Sequence, residues 1–589
     1  MTRLSTFLAC ALALPACATS NTDPNAHAST VQGTKLRRPV GNYAHISLHN
    51  VVAPNPDLDW TSYLDCLYDD MLANPGMSGL QLGIQWGDVS TSSTGPNDWR
   101  YVSAAFDRVA AWNAQPNVPQ KSIQLIINPG FESPSWLLSS IPSCDGLFSG
   151  TGKAAKNCGT ITIQGFAEPS SSNVLPLPWN PVYIAAWNAL LADVQANFGA
   201  NPNLVSISIA GPTAATSEMF LPNDKNTPPQ LFPQTAQKGC SLDNLSACCT
   251  PGTTPNCYLP STIWETLLER QYGATSTYAH SDQAFVEAWT AAIATYEQVF
   301  SHLTLVLTPA SGGGLVDFPG GVVPPPNQFS AACTNNDDQS CEAIAQIVAN
   351  LASYPATGQP DNKNGKAVQV SGLVASYATL STANFDISGL RYIAAQTQGA
   401  SVTNQIIAGA QFDHAFTNAD QVVDGCFGNQ PVCGEARPTC NMPAEQVEVD
   451  VLATVFNGTS GYSAAVFGSP FPASHPPSPT TTGPFNFLQL YYQDVQYAEA
   501  YDCAHPDGVP PNYENVSCTQ GQDTAQGMID YANSILFSTA STSSLPPDMT
   551  PLQCPPRTCV PPTTGPDLCG GMCDSDQVCK QGHCVVLGP

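Results

Sequence analysis

The sequence predicts an α/β chain, a (β/α)8 TIM-type barrel with disulfide-tied loop insertions and a small Cys-rich C-terminal module. Three observations lead there. Short apolar runs of strand length alternate with stretches whose apolar residues recur at helical spacing. Eight such runs can be counted between residues 43 and 467. Cysteines gather in the segments between them and in the last part of the chain. A doubly wound parallel sheet would give the same alternation; the count of eight favours the barrel.

The elements follow in order. Residues 43–52 read as a first strand and 59–74 as a helix. Residues 79–86 form the second strand. A helical stripe runs through Trp99, Val102, Phe106 and Val109, with Asn97 or Asp98 as its cap. Residues 121–128 are the third strand. After an insertion carrying Cys144 and Cys158, Asn180 caps a helix with Pro181 in its first turn. Val182, Trp187, Leu190, Leu191, Val194 and Phe198 make its apolar face, and Gly199 ends it. Residues 204–210 are the fourth strand, closed by Gly211-Pro212 and followed by Glu218. A Cys-rich loop spans about 223–258. A helix marked by Phe285, Trp289, Ile293, Tyr296 and Phe300 leads to a fifth strand at 303–308. A helix near 341–353 precedes strand six at 368–375, and one near 386–397 precedes strand seven at 404–411. A helix at 444–456, strand eight at 461–467 and a last helix over about 485–501 complete the pattern.

The ends have their own character. Residues 1–17 resemble a lipoprotein-type signal peptide: Arg3, a short apolar core, then Leu14-Pro-Ala-Cys17, a lipobox-like motif that makes Cys17 the lipidation candidate. Ala18 in place of Asp implies an outer-membrane or surface lipoprotein, with plain secretion as the alternative. Residues 18–38 are a polar, flexible tether, and 39–540 the barrel. Residues 541–589 are a Pro-rich linker and a unit with Cys554, Cys559, Cys569, Cys573, Cys579 and Cys584, too small to bury a core without disulfides.

Composition narrows the partners. The 45 acidic against 18 basic residues give a net charge of −27, which argues against nucleic acid and anionic membranes. A membrane contact is expected only through the N-terminal lipid. Of 22 cysteines, Cys10 would leave with the signal and Cys17 would carry lipid, leaving 20. Local pairs are expected at Cys144–Cys158, Cys333–Cys341 and Cys503–Cys518. Cys240, Cys248, Cys249 and Cys257 form one cluster. Cys426, Cys433 and Cys440 form another, with Cys66 as a candidate outside partner. No zinc spacing appears, so disulfides in an oxidising compartment are the reading, with no metal. No P-loop, GxSxG, HExxH or dinucleotide fingerprint is found, and no cofactor is expected.

Residues 79–86, Asn97-Asp-Trp-Arg-Tyr101, residues 128–137 with Pro134-Ser-Trp136, and residues 211–222 around Glu218 resemble the β/α units of (β/α)8 glycoside hydrolases, of the β-galactosidase-like and β-amylase-like kinds. The resemblance implies hydrolysis of glycosidic bonds in extracellular carbohydrate. That reaction needs one protonated and one ionised carboxyl group. The acid of that family lies after strand four, where Glu218 stands. Its nucleophile belongs at the end of strand seven, where this chain has Gln411, an amide that can do neither job. Asp413, two residues on, is the candidate second carboxylate. His49, Asn50, Trp86, Asn128, Glu132, Tyr377 and Gln411 are the candidate substrate-binding residues at strand ends, and Asp88 stands beside Trp86 at the end of strand two. The competing expectation is an inactive surface barrel that binds glycan or serves a structural or interaction role.

Overall fold

The computed structural model describes residues 39–52, 56, 58–150, 152–166, 171–232, 245–309, 315–316, 318, 339–353, 366–373, 406–412, 431–432, 435–436, 487–496, 529–530, 533, 536, 559, 577–580 and 583–586. The fold is mixed α/β, with a curled parallel sheet of TIM-like form. Its strands are β1 (Gly41–Ser47), β2 (Gly79–Gln85), β3 (Ser122–Asn128), β4 (Leu204–Ser208), β5 (Thr304–Leu307), β6 (Lys366–Leu373), β7 (Ile406–Phe412) and β8 (Phe487–Tyr491). Each pairs in parallel with the next, and β8 pairs back onto β1, with Tyr43 opposite Gln489, so the strand ring closes. The helices are α1 (Thr61–Ala73), α2 (Arg100–Asn113), α3 (Pro181–Phe198), α4 (Pro260–Tyr272), α5 (Gln283–Val299) and α6 (Gln339–Ser353).

Strand sequence explains the layering. Along β2 the pattern Gly-Leu-Gln-Leu-Gly-Ile-Gln alternates. Leu80, Leu82 and Ile84 join the main core with Val102, Phe106 and Val109 of α2. Alternate residues face into the ring. There Tyr43, Val205, Val306 and Phe487 make a small apolar cluster. Beside it runs a polar layer: the Gln81 amide donates to Gln124 Oε1 at 3.3 Å, and its Oε1 lies 3.1 Å from His45 Nδ1. That geometry assigns the ring proton of His45 to Nδ1. Burial pushes the His45 imidazole down to about 4, so it is neutral near pH 7. Gly83 makes the room: a Cβ there would lie 2.9 Å from His45 Cε1.

The other end of the ring is tied by late residues. Asn533 Oδ1 accepts from the Asn42 backbone N–H (2.9 Å) and the Ser78 hydroxyl (3.0 Å), while the Asn42 amide donates to the Ile529 carbonyl (2.8 Å). Lys121, 2% exposed, donates to the Met77 and Asn74 carbonyls.

Several expectations need correction. The first strand ends at Ser47, and Leu48–Val52 is a short helix. The cap position of α2 is Trp99, whose side chain makes no cap bond; of the two expected caps, Asp98 Oδ1 accepts the Arg100 N–H at 3.2 Å, while the Asn97 amide donates to Asp193 at 2.7 Å. In α3, Asn180 caps as expected, but Val182 is 51% exposed and lies off the apolar face. α4 was not foreseen: its stripe of Ile263, Trp264, Leu267 and Leu268 follows a Cys-rich stretch that reads as loop. Residues 487–491, expected to begin the last helix, are strand β8, and helical backbone starts only at 492. The segment 461–467, read as strand eight, lies outside the described residues. So do Cys17, the tether, the helices expected at 386–397 and 444–456, most of the Cys-rich module, and the cysteines at 333, 426, 433, 440, 503 and 518.

Cys144 pairs with Cys158, and within the second cluster Cys249 pairs with Cys257. Cys66, expected to reach the 426–440 cluster, is bonded instead to Cys559, 493 residues away. Breaking this bond by replacing both cysteines with Ala is expected to cost about 2–4 kcal/mol, read as a lower midpoint in denaturant. Non-reducing peptide mapping should recover the Cys66 and Cys559 peptides as one linked species.

Candidate functional site

The C-terminal ends of β1, β2 and β3 meet at one side of the ring, and each hands the chain to a short helix or turn. Leu48–Val52 follows β1, Trp86–Val89 follows β2, and Gly130–Glu132 follows β3. These early turns bring together side chains whose strands are neighbours. His49 Nδ1 lies 2.9 Å from Asp88 Oδ2, with 34% and 47% of the two side chains exposed. The Asp88 hydrogen bond raises the His49 imidazole above its ordinary value, with the Glu132 charge adding to it. Burial raises the Glu132 carboxyl; His49 pulls it down and Asp88 pushes it up. One half-buried carboxyl group thus sits in the field of a His–Asp pair.

The loop after β3 is fixed by its backbone. Gly130 has φ +70°, and a Cβ there would lie 2.0 Å from the Ala214 carbonyl oxygen, so only glycine fits. The next residue, Phe131, donates its N–H to that same oxygen at 2.5 Å, and Ala214 N–H donates to the Phe220 carbonyl at 2.8 Å. Phe131 and Phe220 both pack on Phe166, with ring centroids 5.4 and 5.1 Å away. Met219 N–H donates to Thr308 at 3.1 Å, and Glu218 bridges Thr308 in parallel pairing. The Ala214 backbone thus joins the loop that carries Glu132 to the segment that carries Glu218. Glu218 is half-buried, and its own N–H is held by Thr216 Oγ1 at 3.1 Å.

The remaining candidates fall differently. Asn50 is exposed, its N–H reaching Ser47 Oγ at 3.4 Å. Asn128 Oδ1 is buried at the end of β3 without a hydrogen bond. Trp86 is 1% exposed, its ring packed against Tyr183 and Trp187 of α3 at 5.9 and 5.1 Å, which makes it part of the core. Gln411 is half-buried on β7, in register with Gln489 of β8. Tyr377 and Asp413 lie outside the described residues. The Pro134-Ser-Trp136 stretch acts as a brace: the Trp136 indole donates to the Ser90 carbonyl at 2.8 Å, joining the loops after β3 and β2. Sequence reasoning found His49, Asp88 and Glu132 separately but not their meeting, which depends on the three tight turns.

Elsewhere, Glu265, Glu269 and His280 bring ligand-type atoms within 4.8 Å of one another. Both ring nitrogens of His280 already face acceptors, Glu265 at 2.6 Å and the Ala274 carbonyl at 3.0 Å, as in a protonated clamp between α4 and the following turn.

No family model and no curated protein sequence matches the chain. Among solved structures it is similar to the catalytic domain of a β-amylase from Paenibacillus polymyxa. That match has 12% identity and a TM-score of 0.35, and covers 78% of this chain and 94% of the other. A β-galactosidase from the Antarctic haloarchaeon Halorubrum lacusprofundi matches at 12% identity and TM-score 0.27, over 71% of this chain and 44% of that one. A β-galactosidase from Marinomonas ef1 matches at 10% and 0.23, over 64% and 42%. The chain spans less than half of either β-galactosidase.

A carboxyl group raised on folding takes up protons, so its contribution to stability is present at low pH and lost as pH rises through its folded value. Glu132→Gln is therefore expected to raise the melting temperature at pH 7 by about 1–3 °C, with the gain shrinking toward pH 4. His49 is also raised on folding, so its pairing with Asp88 stabilises fully below the ordinary imidazole value of about 6.5 and fades as pH climbs past its raised value.

Proposed function

We propose that the chain is a glycoside hydrolase-like protein that cleaves glycosidic bonds of extracellular carbohydrate by carboxylate acid/base chemistry. The observation that carries this reading is the raised Glu132 carboxyl beside the His49–Asp88 pair at the ends of three adjacent strands. Glycosidic cleavage asks for a carboxylic acid that keeps its proton near neutral pH and a second carboxylate that does not. In our reading Glu132 supplies the proton and Glu218 is the ionised partner, with His49, Asp88 and Asn50 binding sugar hydroxyls. The Ala214 backbone ties the loop that carries Glu132 to the segment that carries Glu218. The strand ring is read as a full (β/α)8 barrel. We also infer export, with Cys17 acylated after signal removal; Cys17→Ser should abolish labelling by a radiolabelled fatty acid and release the protein from membranes.

Cleavage is tested on a panel of polysaccharides and aryl glycosides with purified protein. Glu132→Gln and Glu218→Gln should each lose ~10²–10⁴ in kcat/KM while melting cooperatively. Wild-type activity should fall as pH rises through the raised Glu132 value, and that limb should vanish in Glu132→Gln. Full activity in both variants, with Asp413→Asn alone inactive, would reject the Glu132–Glu218 pair and restore the carboxylate first proposed from sequence.

A second reading has its own observation. Gln411 on β7 is an amide in register with Gln489, which favours a non-hydrolytic, glycan-binding barrel. Glycan binding by calorimetry with no cleavage of any panel member would select it.

A further inference from the structure

The insertion between β3 and α3 does more than connect them. Its segments Thr160–Gln164 and Ser172–Pro176 pair as an antiparallel hairpin, and the second lies against the Gly130–Glu132 turn. Gly165 turns the chain at φ +69°, and a Cβ there would lie 2.9 Å from Pro228 Cγ, so the hairpin packs closely on the stretch that follows Glu218. The next residue, Phe166, is 3% exposed. Its ring meets Phe131 edge-on at 5.4 Å and Phe220 at a tilt at 5.1 Å. Phe131 immediately precedes Glu132, and Phe220 lies two residues after Glu218.

Three ties hold Phe166 there. Gln230, fully buried, accepts the Gln164 N–H on its Oε1 at 2.7 Å and donates its amide to the Gln164 carbonyl at 2.9 Å. The Asp145 carboxylate accepts from the Thr162 N–H and hydroxyl at 2.9 and 2.6 Å. The Cys144–Cys158 bond closes the stretch ahead of the hairpin, and the Cys144 N–H donates to the Thr160 carbonyl at 2.8 Å. The Ala214 stitch joins the Glu132 and Glu218 segments through backbone hydrogen bonds, about which each segment could still pivot. A ring packed against a side chain of each removes that pivot, because tilting either segment would break an aromatic contact.

We propose that Phe166 is a positioning residue of the candidate site: brought in by the insertion, it orients the Glu132 and Glu218 segments toward each other. Being buried, it acts through Phe131 and Phe220 and does not touch substrate. The kinetic side of this role rests on the reading of Glu132 and Glu218 as the reacting pair, whereas the hold on the Glu132 segment does not.

Stability and kinetics of the full chain test the two sides separately. Glu132→Gln, expected to raise the melting temperature at pH 7 by about 1–3 °C, should gain less than half as much in Phe166→Ala, because a loosened segment admits water to the carboxyl. On a glycoside that the wild type cleaves, Phe166→Ala should lower kcat ~10–100-fold while KM changes less than about threefold. Phe166→Leu, which keeps an apolar wedge, should fall between the two in both measurements, and it carries the test if Phe166→Ala does not melt cooperatively. An equal Glu132→Gln gain in all three backgrounds, or wild-type kcat in Phe166→Ala while Glu132→Gln and Glu218→Gln are inactive, sinks the Phe166 proposal alone. Full activity of Glu132→Gln and Glu218→Gln sinks the carboxyl pairing, and with it the kinetic side. With no glycoside cleaved, the stability comparison decides.

Discussion

The structure depends on β1 being paired on both sides. A parallel sheet left open would present bare N–H and C=O groups along its first and last strands. Here Tyr43 faces Gly79 on one side and Gln489 on the other, so the first strand and a strand from far down the chain satisfy each other. Closure also sets direction. Every ring pairing is parallel, so all strand C-termini reach the same rim, and residues from separate parts of the sequence converge there without long-range design. At the opposite rim, Asn533 and Ile529 fasten the start of β1, adding late-chain contacts to the same strand.

Inside that ring the chain accepts a polar layer where branched apolar residues are the common filling. The His45–Gln81–Gln124 chain is tolerable because each bond fixes the next and because the imidazole is held neutral. Glycines accompany it: Gly83 clears the His45 ring, and Gly409 clears the Phe487 ring, where a Cβ would come within 2.0 Å of the ring edge. Interior shape is thus set as much by missing side chains as by those present.

Much of this was readable in the residues. Strands two to seven, the Asn180 cap and the Cys144–Cys158 bond follow from period, turn chemistry and local spacing. β8 escaped because its five residues run straight into helical backbone, so a helical stripe read from 485 onward absorbs them. α4 escaped because a Cys- and Pro-rich approach reads as loop up to the helix start. Cys66 illustrates a general limit: its partner lies 493 residues on, and only the folded path brings them together. The candidate site was half legible. Residue type and strand-end position nominated Glu132 and Glu218, but the Gly130–Ala214–Phe220 stitching that relates them is a backbone fact that no side-chain pattern encodes.

The Cys66–Cys559 bond encloses seven of the eight ring strands, β2 to β8, in one covalent circle. In an ordinary chain a protease cut separates two fragments. In this one, a single cleavage anywhere between the two cysteines leaves the halves joined through sulfur, opening the circle without dividing the molecule. The ring of strands can then hold its register around the nick, and a cut piece of barrel has no route to diffuse away. That covalent enclosure makes a nick an opening of the circle and not a loss of material.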